Sequence, residues 1–254
     1  MSRRRRWPLF GMGVALCAAV VVLSLGLGWR TRGHDPDALW KIVHGRCASG
    51  GRPCAVYDAK DGYALLHSIE GKGQYLLIPT AKVTGIESPA VLTPDAPNYF
   101  AEAWAARGLV SKAYGAAVPD RGLSLAINSE EGRSQNQLHI HIDCLRPGVR
   151  EALDAMAPSV GTHWSSLPQP LLGHAYRAIL LPDLHDSPFL VLADGASETP
   201  AEMGLHTLVV VTVPGGFLLL DDKAQGLDRA SGEEVQDHTC RGFLPRAVQR
   251  ENSR

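Results

Sequence analysis

The stretch Gln135-Asn136-Gln137-Leu138-His139-Ile140-His141-Ile142-Asp143 sets two histidines in alternation with isoleucines, between a polar run upstream and Arg146-Pro147-Gly148 downstream. Such alternation is the period of a β-strand, so His139, His141 and Asp143 share one face and Leu138, Ile140 and Ile142 the other. Neighbouring polar members of the set stand roughly 6.6 Å apart along the strand. An imidazole face carried by a sheet and turned to a cleft can present a nucleophile or hold a metal, and the function turns on which of the two it does.

Working outward, Leu123-Ser124-Leu125-Ala126-Ile127-Asn128 reads as a strand that the polar loop 129–136 joins to the histidine strand as an antiparallel neighbour. Further upstream, Asp35-Pro36-Asp37 starts a short helix through Leu39, Trp40, Ile42 and Val43. Three strands follow, at Ala55-Val56-Tyr57, Tyr63-Ala64-Leu65-Leu66 and Gln74-Tyr75-Leu76-Leu77-Ile78-Pro79. Asn98 caps a helix on which Phe100, Ala103, Trp104 and Arg107 have helical spacing. Beyond Pro147 a helix is expected from Arg150 to Ala157, then strands over Tyr176 to Leu181 and Leu205 to Val213. The last of these enters a hairpin with Phe217-Leu218-Leu219-Leu220 through Pro214-Gly215-Gly216. Glycine, an aromatic residue and Leu-Leu recur in Gly73–Leu77 and Gly216–Leu219. A diverged duplication would place a second half-domain from about residue 150.

The chain has 254 residues, 45% of them hydrophobic and 20% charged, with a net charge of −1. That balance gives no overall basic field, so nucleic acid is not an expected partner. The charge is uneven, however. Arg3 to Arg6 precede an apolar stretch that runs from Pro8 to Trp29 without a charge. As a helix this stretch rises about 33 Å, against a hydrocarbon core of about 30 Å. Trp7 and Trp29 stand at the interfacial positions that indoles favour. A cleaved secretory signal would be shorter and end at small residues, unlike Gly28-Trp29-Arg30. The expected organisation is therefore a cytoplasmic basic segment at 1–6, a transmembrane anchor at 7–29, and a catalytic domain at 30–254 on the outer side.

Outside the apolar stretch lie four cysteines, Cys47, Cys54, Cys144 and Cys240. An even number in an oxidising compartment suggests two disulfides, for which three connectivities exist. The turn-rich loop between Cys47 and Cys54 favours that pairing, which would leave Cys144 for Cys240. Zinc is the rival reading, though the spacings are not those of a finger or ribbon.

A neutral imidazole can attack phosphorus and hold a nucleotidyl group, splitting one hard displacement into two easier ones. Non-bridging oxygens must then be neutralised by amides, hydroxyls or arginines. The loop ahead of the strand is dense in such groups: Asn128, Ser129, Arg133, Ser134, Gln135, Asn136 and Gln137. Lys82 is a further candidate for a phosphate contact. The other histidines are expected at the surface or in packing, with His206 or His238 able to reach the cleft if the C-terminal half completes it.

At these residues the chain resembles the histidine triad (HIT) superfamily of nucleotide hydrolases and transferases. The signature of that superfamily sets alternating histidines on a strand, a glutamine four residues before the first histidine and an asparagine eleven before it. His139, Gln135 and Asn128 fall at those places, and Gln74 to Pro79 is similar to an earlier strand ending in Ile-Pro. The resemblance implies an α+β fold, a HIT-like antiparallel sheet with flanking helices, here preceded by a single transmembrane helix. It implies His141 as nucleophile, His139 in support, and Asp143 where a third histidine would stand. Over most of the chain, Leu39 to Val43, Gln74 to Thr80, Gly85 to Pro89, Ala96 to Trp104 and Asn128 to Ile142 resemble the bacterial CDP-diacylglycerol pyrophosphatase family. That resemblance implies hydrolysis of CDP-diacylglycerol to CMP and phosphatidate through a nucleotidyl-histidine, with no metal or other cofactor. Asn128, Ser134 and Gln135 would bind phosphate or ribose and Arg133 would add positive charge. Membrane lipid would be the partner, and a single-pass protein of the inner membrane with its domain on the periplasmic side would meet it.

Two rival readings stand beside this one. His-x-His-x-Asp also begins the zinc motif of the metallo-β-lactamase fold, but Cys144 stands where that motif needs a histidine, and no Gly-rich turn follows. Alternatively, the histidines are half-buried sheet residues of a non-catalytic, membrane-tethered module that binds nucleotide or lipid.

Overall fold

Strands β1 (Cys54–Asp58), β2 (Tyr63–His67), β3 (Tyr75–Pro79), β4 (Leu123–Ile127) and β5 (Ile140–Cys144) belong to the first half of the chain. Strands β6 (Ser165–Ser166), β7 (Arg177–Leu181), β8 (His206–Val213) and β9 (Gly216–Lys223) belong to the second. In the computed structural model, which describes residues 35–196 and 199–251, they form one sheet in the order β1-β2-β3-β5-β4-β8-β9-β7-β6. Every pairing is antiparallel.

The connectivity repeats across the middle of the sheet. Hairpin β2–β3, helix Tyr99–Ala105 and hairpin β4–β5 make up one half; β6–β7, helix Pro188–Ala196 and β8–β9 make up the other. Counted from its own edge, the second half runs β6-β7-β9-β8, the counterpart of β2-β3-β5-β4, and β4 meets β8 at the centre. Strand β9 therefore occupies the place that the histidine strand β5 has in the first half. Leu218 and Leu220, on the same face, are packed in an apolar cluster there. Gly73–Leu77 leads into β3 and Gly216–Leu219 lies on β9; these strands are not counterparts, so their shared pattern does not mark the repeat.

One face of the sheet is apolar throughout. Tyr75, Leu77, Leu125, Ile127, Ile140, Ile142, Leu208, Val210 and Leu219 pack under Tyr99, Phe100, Ala103, Val110, Phe189 and Leu192 from three helices. Asn98 caps the first of these by accepting from the Ala101 N–H at 3.1 Å. The opposite face is divided. At the β1–β3 end, Ala64, Leu66, Leu76 and Ile78 pack against Val43 and Cys47. Under helix Pro147–Met156, Ala126, Val209, Val211, Leu218 and Leu220 pack against Val149 and Leu153. Between these two clusters runs the row Leu76–His141–Ala126–Val209. The polar residues of β5 fall in the gap.

Cys47 is bonded to Cys54 and Cys144 to Cys240. The expected fold class needs correction. The described chain is a nine-stranded antiparallel sheet with helices on both faces, in place of a HIT-like domain led by a transmembrane helix. Among the described residues no helix is long and apolar enough to cross a membrane. The expected span at 7–29 lies outside the described residues. The single-pass inner-membrane location, and the periplasmic side assigned with it, are corrected on the same finding.

Candidate active site

Alternation along β5 does what its period dictates. Ile140 and Ile142 enter the apolar cluster, while His141 and Asp143 point into the gap on the other face. His139, just ahead of the strand, sets its ring edge-on to that of His141 with centroids 4.9 Å apart. Alternation alone predicts a polar strand face open on a cleft, yet both histidines and Asp143 are buried. The segment from Ser231 to Cys240 covers them. Its backbone runs along the end of β5, with Arg146 N–H donating to Val235 O at 2.9 Å and Asp237 N–H to Cys144 O at 2.8 Å. Gln236 then reaches in beneath it, donating to Ser124 Oγ at 3.0 Å and to the His141 carbonyl at 3.3 Å.

That segment brings the charges the site needs. Glu233 places Oε1 3.1 Å from His141 Nδ1. Gln74, one residue ahead of β3, donates to the same oxygen at 3.0 Å. Asn128, at the end of β4, clamps Glu233 from behind. Its Nδ2 donates to Glu233 Oε2 at 3.3 Å, and its Oδ1 accepts the Glu233 N–H at 3.1 Å and the Ser231 hydroxyl at 3.2 Å. Gly232 permits the approach. A Cβ there would stand 2.5 Å from Thr207 Oγ1 and 2.9 Å from Val209 Cγ2, and its own N–H donates to Thr207 Oγ1 at 2.8 Å.

The second imidazole of the site is His238. Its Nδ1 lies 2.7 Å from Asp143 Oδ2, and its carbonyl accepts from the Tyr114 hydroxyl at 3.0 Å. The Gln74 amide nitrogen is 3.2 Å from His141 Nδ1 and 3.3 Å from His238 Nδ1, so one side chain spans both rings.

The electrostatics set the groups apart. Burial drives the His139 ring down to about 4, aided by the neighbouring His141, so it is neutral near pH 7. Its Nδ1 lies 2.7 Å from the Gln137 carbonyl. Burial alone would raise Glu233, but hydrogen bonds from His141, Gln74 and Asn128 outweigh it and hold the carboxylate at about 2. The hydrogen bond to Asp143 raises His238 above the ordinary histidine value. Two polar atoms at the centre have no hydrogen-bond partner despite being buried, His141 Nε2 and Gln74 Oε1. A buried orphan of this kind costs about 1–3 kcal/mol and calls for an explanation.

Of the residues expected from sequence, His139, His141, Asp143 and Asn128 come together. Arg133, Gln135, Ser134 and Lys82 do not join them. The Arg133 guanidinium is buried in a two-pronged bond with Glu87, 2.8 Å on each arm. Gln135 accepts the Leu39 N–H at 3.1 Å, Ser134 is exposed on the loop, and Lys82 pairs with Asp37 at 3.3 Å. Gln74, Glu233 and Gln236 carry no local motif that marks them as site residues. For His238 the one signal in sequence is its neighbour Cys240. Among the described residues, donors close enough to share an ion occur at Asp143–Cys144–Cys240 and at His174–Asp222–Asp228. The first group has its thiols in a disulfide and neither includes His139 or His141, which leaves the zinc-hydrolase reading without its ligand set.

A buried imidazole with one nitrogen on a carboxylate and the other bare, beside a second His–Asp pair, is the equipment of a hydrolase. Comparison with known proteins narrows the class. The family described as CDP-diacylglycerol pyrophosphatase matches residues 34–243. A Yersinia pestis protein named CDP-diacylglycerol pyrophosphatase is 44% identical over 252 residues, covering 94% of this chain and 96% of its own. This chain belongs to the CDP-diacylglycerol pyrophosphatase family.

Proposed function

We propose that this protein hydrolyses the diphosphate of CDP-diacylglycerol to CMP and phosphatidate, with Nε2 of His141 as the attacking atom. The observation that carries the reading is the bare, buried Nε2 of His141, whose opposite nitrogen lies 3.1 Å from Glu233. A carboxylate at Nδ1 fixes the tautomer that carries its proton there and leaves the Nε2 lone pair free. It also stabilises the imidazolium-like ring that forms once phosphorus is bound. Attack on the phosphorus nearest cytidine forms the N–P bond, and the bridging P–O bond breaks with its electron pair leaving on phosphatidate. Water then releases CMP and restores the imidazole.

His139, neutral and edge-on, keeps a second positive charge away from this ring. Asn128 acts through Glu233, by holding both its carboxylate and its backbone. The family name of the matched relative supports the substrate, and the site supports the covalent route. The test uses substrate labelled at the cytidylyl phosphorus, with an alkaline quench that preserves phosphoramidates. Label should appear on the full-length chain, and His141→Asn should lose both label and turnover. Normal labelling and turnover by His141→Asn would end this reading.

A further inference from the structure

Release of CMP requires a base for the incoming water, and Glu233 is a poor one. Both its oxygens are engaged, Oε1 with His141 and Gln74 and Oε2 with Asn128, and its carboxylate is held far too acidic to take a proton near neutrality. His139 has a bond to the Gln137 carbonyl, and its burial makes it weakly basic.

His238 differs from both. Its Nδ1 is tied to buried Asp143, as the orienting carboxylate ties the base of a hydrolytic triad. Its Nε2 makes no hydrogen bond within 3.5 Å among the described residues, the nearest carboxylate oxygen being Glu233 Oε1 at 3.8 Å. The side chain is 36% exposed, against 7% for His141, so water can reach it. The Gln74 amide nitrogen, which donates to Glu233, lies 3.2 Å from His141 Nδ1 and 3.3 Å from His238 Nδ1, so the two rings sit within one amide's span of each other.

The backbone that carries the ring is also held. Tyr114 donates to the His238 carbonyl, and the disulfide Cys144–Cys240 brackets the Asp143–His238 pair, one residue beyond the aspartate and two beyond the histidine. Gly71, at φ +100°, lies so close that a Cβ there would be 2.6 Å from the His238 carbonyl oxygen.

We infer that His238 is the general base of the second half-reaction and that Asp143 is its positioning residue. The inference rests on His141 being the nucleophile. In the step, water oxygen bonds to the phosphorus of nucleotidyl-His141 while His238 Nε2 takes one water proton. The N–P bond breaks and its electron pair returns to His141 Nε2. The second water proton leaves with CMP, and His238 passes the first to solvent. Asp143, the third member of the polar face of the strand, thus positions a histidine from elsewhere in the chain.

The experiment is rapid-quench labelling of the full-length His238→Ala variant with substrate labelled at the cytidylyl phosphorus. The expected result is a burst of about one label per chain followed by turnover about 10²- to 10⁴-fold below wild type, with added imidazole restoring part of it. Turnover at the wild-type rate, or loss of the burst together with turnover in a folded variant, overturns the inference. Should His238→Ala not fold, Asp143→Asn is read by the same burst and turnover, with the same two outcomes. Failure of the nucleophile reading is distinguishable, because it shows as label on His141→Asn.

Discussion

Glu233 Oε1 stands 3.1 Å from His141 Nδ1, and the same carboxylate is clamped by Asn128 through both its side chain and its backbone N–H. The site is therefore a nucleophile from one strand oriented by a loop far along the chain. Glu233→Gln keeps the shape and the acceptor for Asn128 while removing the charge that favours the ring with phosphorus bound. The rate constant kcat should fall about 10²-fold or more with little change in KM. Steady-state kinetics check this, with the melting temperature as control for folding.

Gly232 lets the Glu233 loop lie against β8. Gly232→Ala forces a Cβ onto Thr207 and Val209, and displacement of the loop should draw Glu233 off His141. Activity should drop by at least tenfold, since small misplacements of catalytic groups are costly, while circular dichroism of the sheet stays unchanged.

Among the groups that make stability depend on pH, His139 and Glu233 bind their protons less tightly in the folded state. His139 titrates near 4 folded, against the ordinary 6.5. Between those values the unfolded chain holds a proton that the folded one lacks. Its contribution is therefore present above pH 6.5 and lost as pH falls toward 4, on the order of 3 kcal/mol in all. Glu233, near 2 folded against 4.5, adds a second loss as pH falls from 4.5 toward 2. Asp222, pushed up to about 6 by burial, acts in the opposite sense over the same range, so the check is a difference: in urea titrations across pH 7 to 3, wild type should lose stability relative to His139→Gln between 6.5 and 4.

The two disulfides should contribute unequally. Cys144–Cys240 closes a separation of 96 residues and Cys47–Cys54 one of 7. Loop-closure entropy gives about 4.7 kcal/mol for a loop near 100 residues and about 2.4 kcal/mol for the short one. Replacing Cys144 and Cys240 by alanine should cost more in denaturant midpoint than replacing Cys47 and Cys54. It should also slow turnover in the folded fraction, because His238 loses its tether.

The pair Arg133–Glu87 is buried, with side chains 6% and 17% exposed. Removing one partner strands the other, so Glu87→Ala should destabilise the protein by about 3–5 kcal/mol. Chemical denaturation measures this, and at temperatures well below melting the activity per folded molecule should be little altered.

The sequence by itself determined the strands other than the two-residue β6, and which face of β5 is polar, because alternation on β5 is a local property: Ile140 and Ile142 must point away from His141 and Asp143. It also determined the nucleophile candidate and its neighbour Asn128, which lie close in sequence and share adjacent strands. Only the tertiary structure decided what surrounds that imidazole. Arg133 and Gln135 look like phosphate ligands on the loop, yet Arg133 is neutralised by Glu87 and Gln135 is taken up by the Leu39 N–H. Gln74, Glu233 and His238 carry no local pattern, because they reach the site by sheet order, by the loop that Gly232 lets approach, and by the Cys144–Cys240 bond. A period in sequence reports the direction a side chain takes from its own backbone. Its partner there is set by chain closure over many residues, which no local spacing encodes.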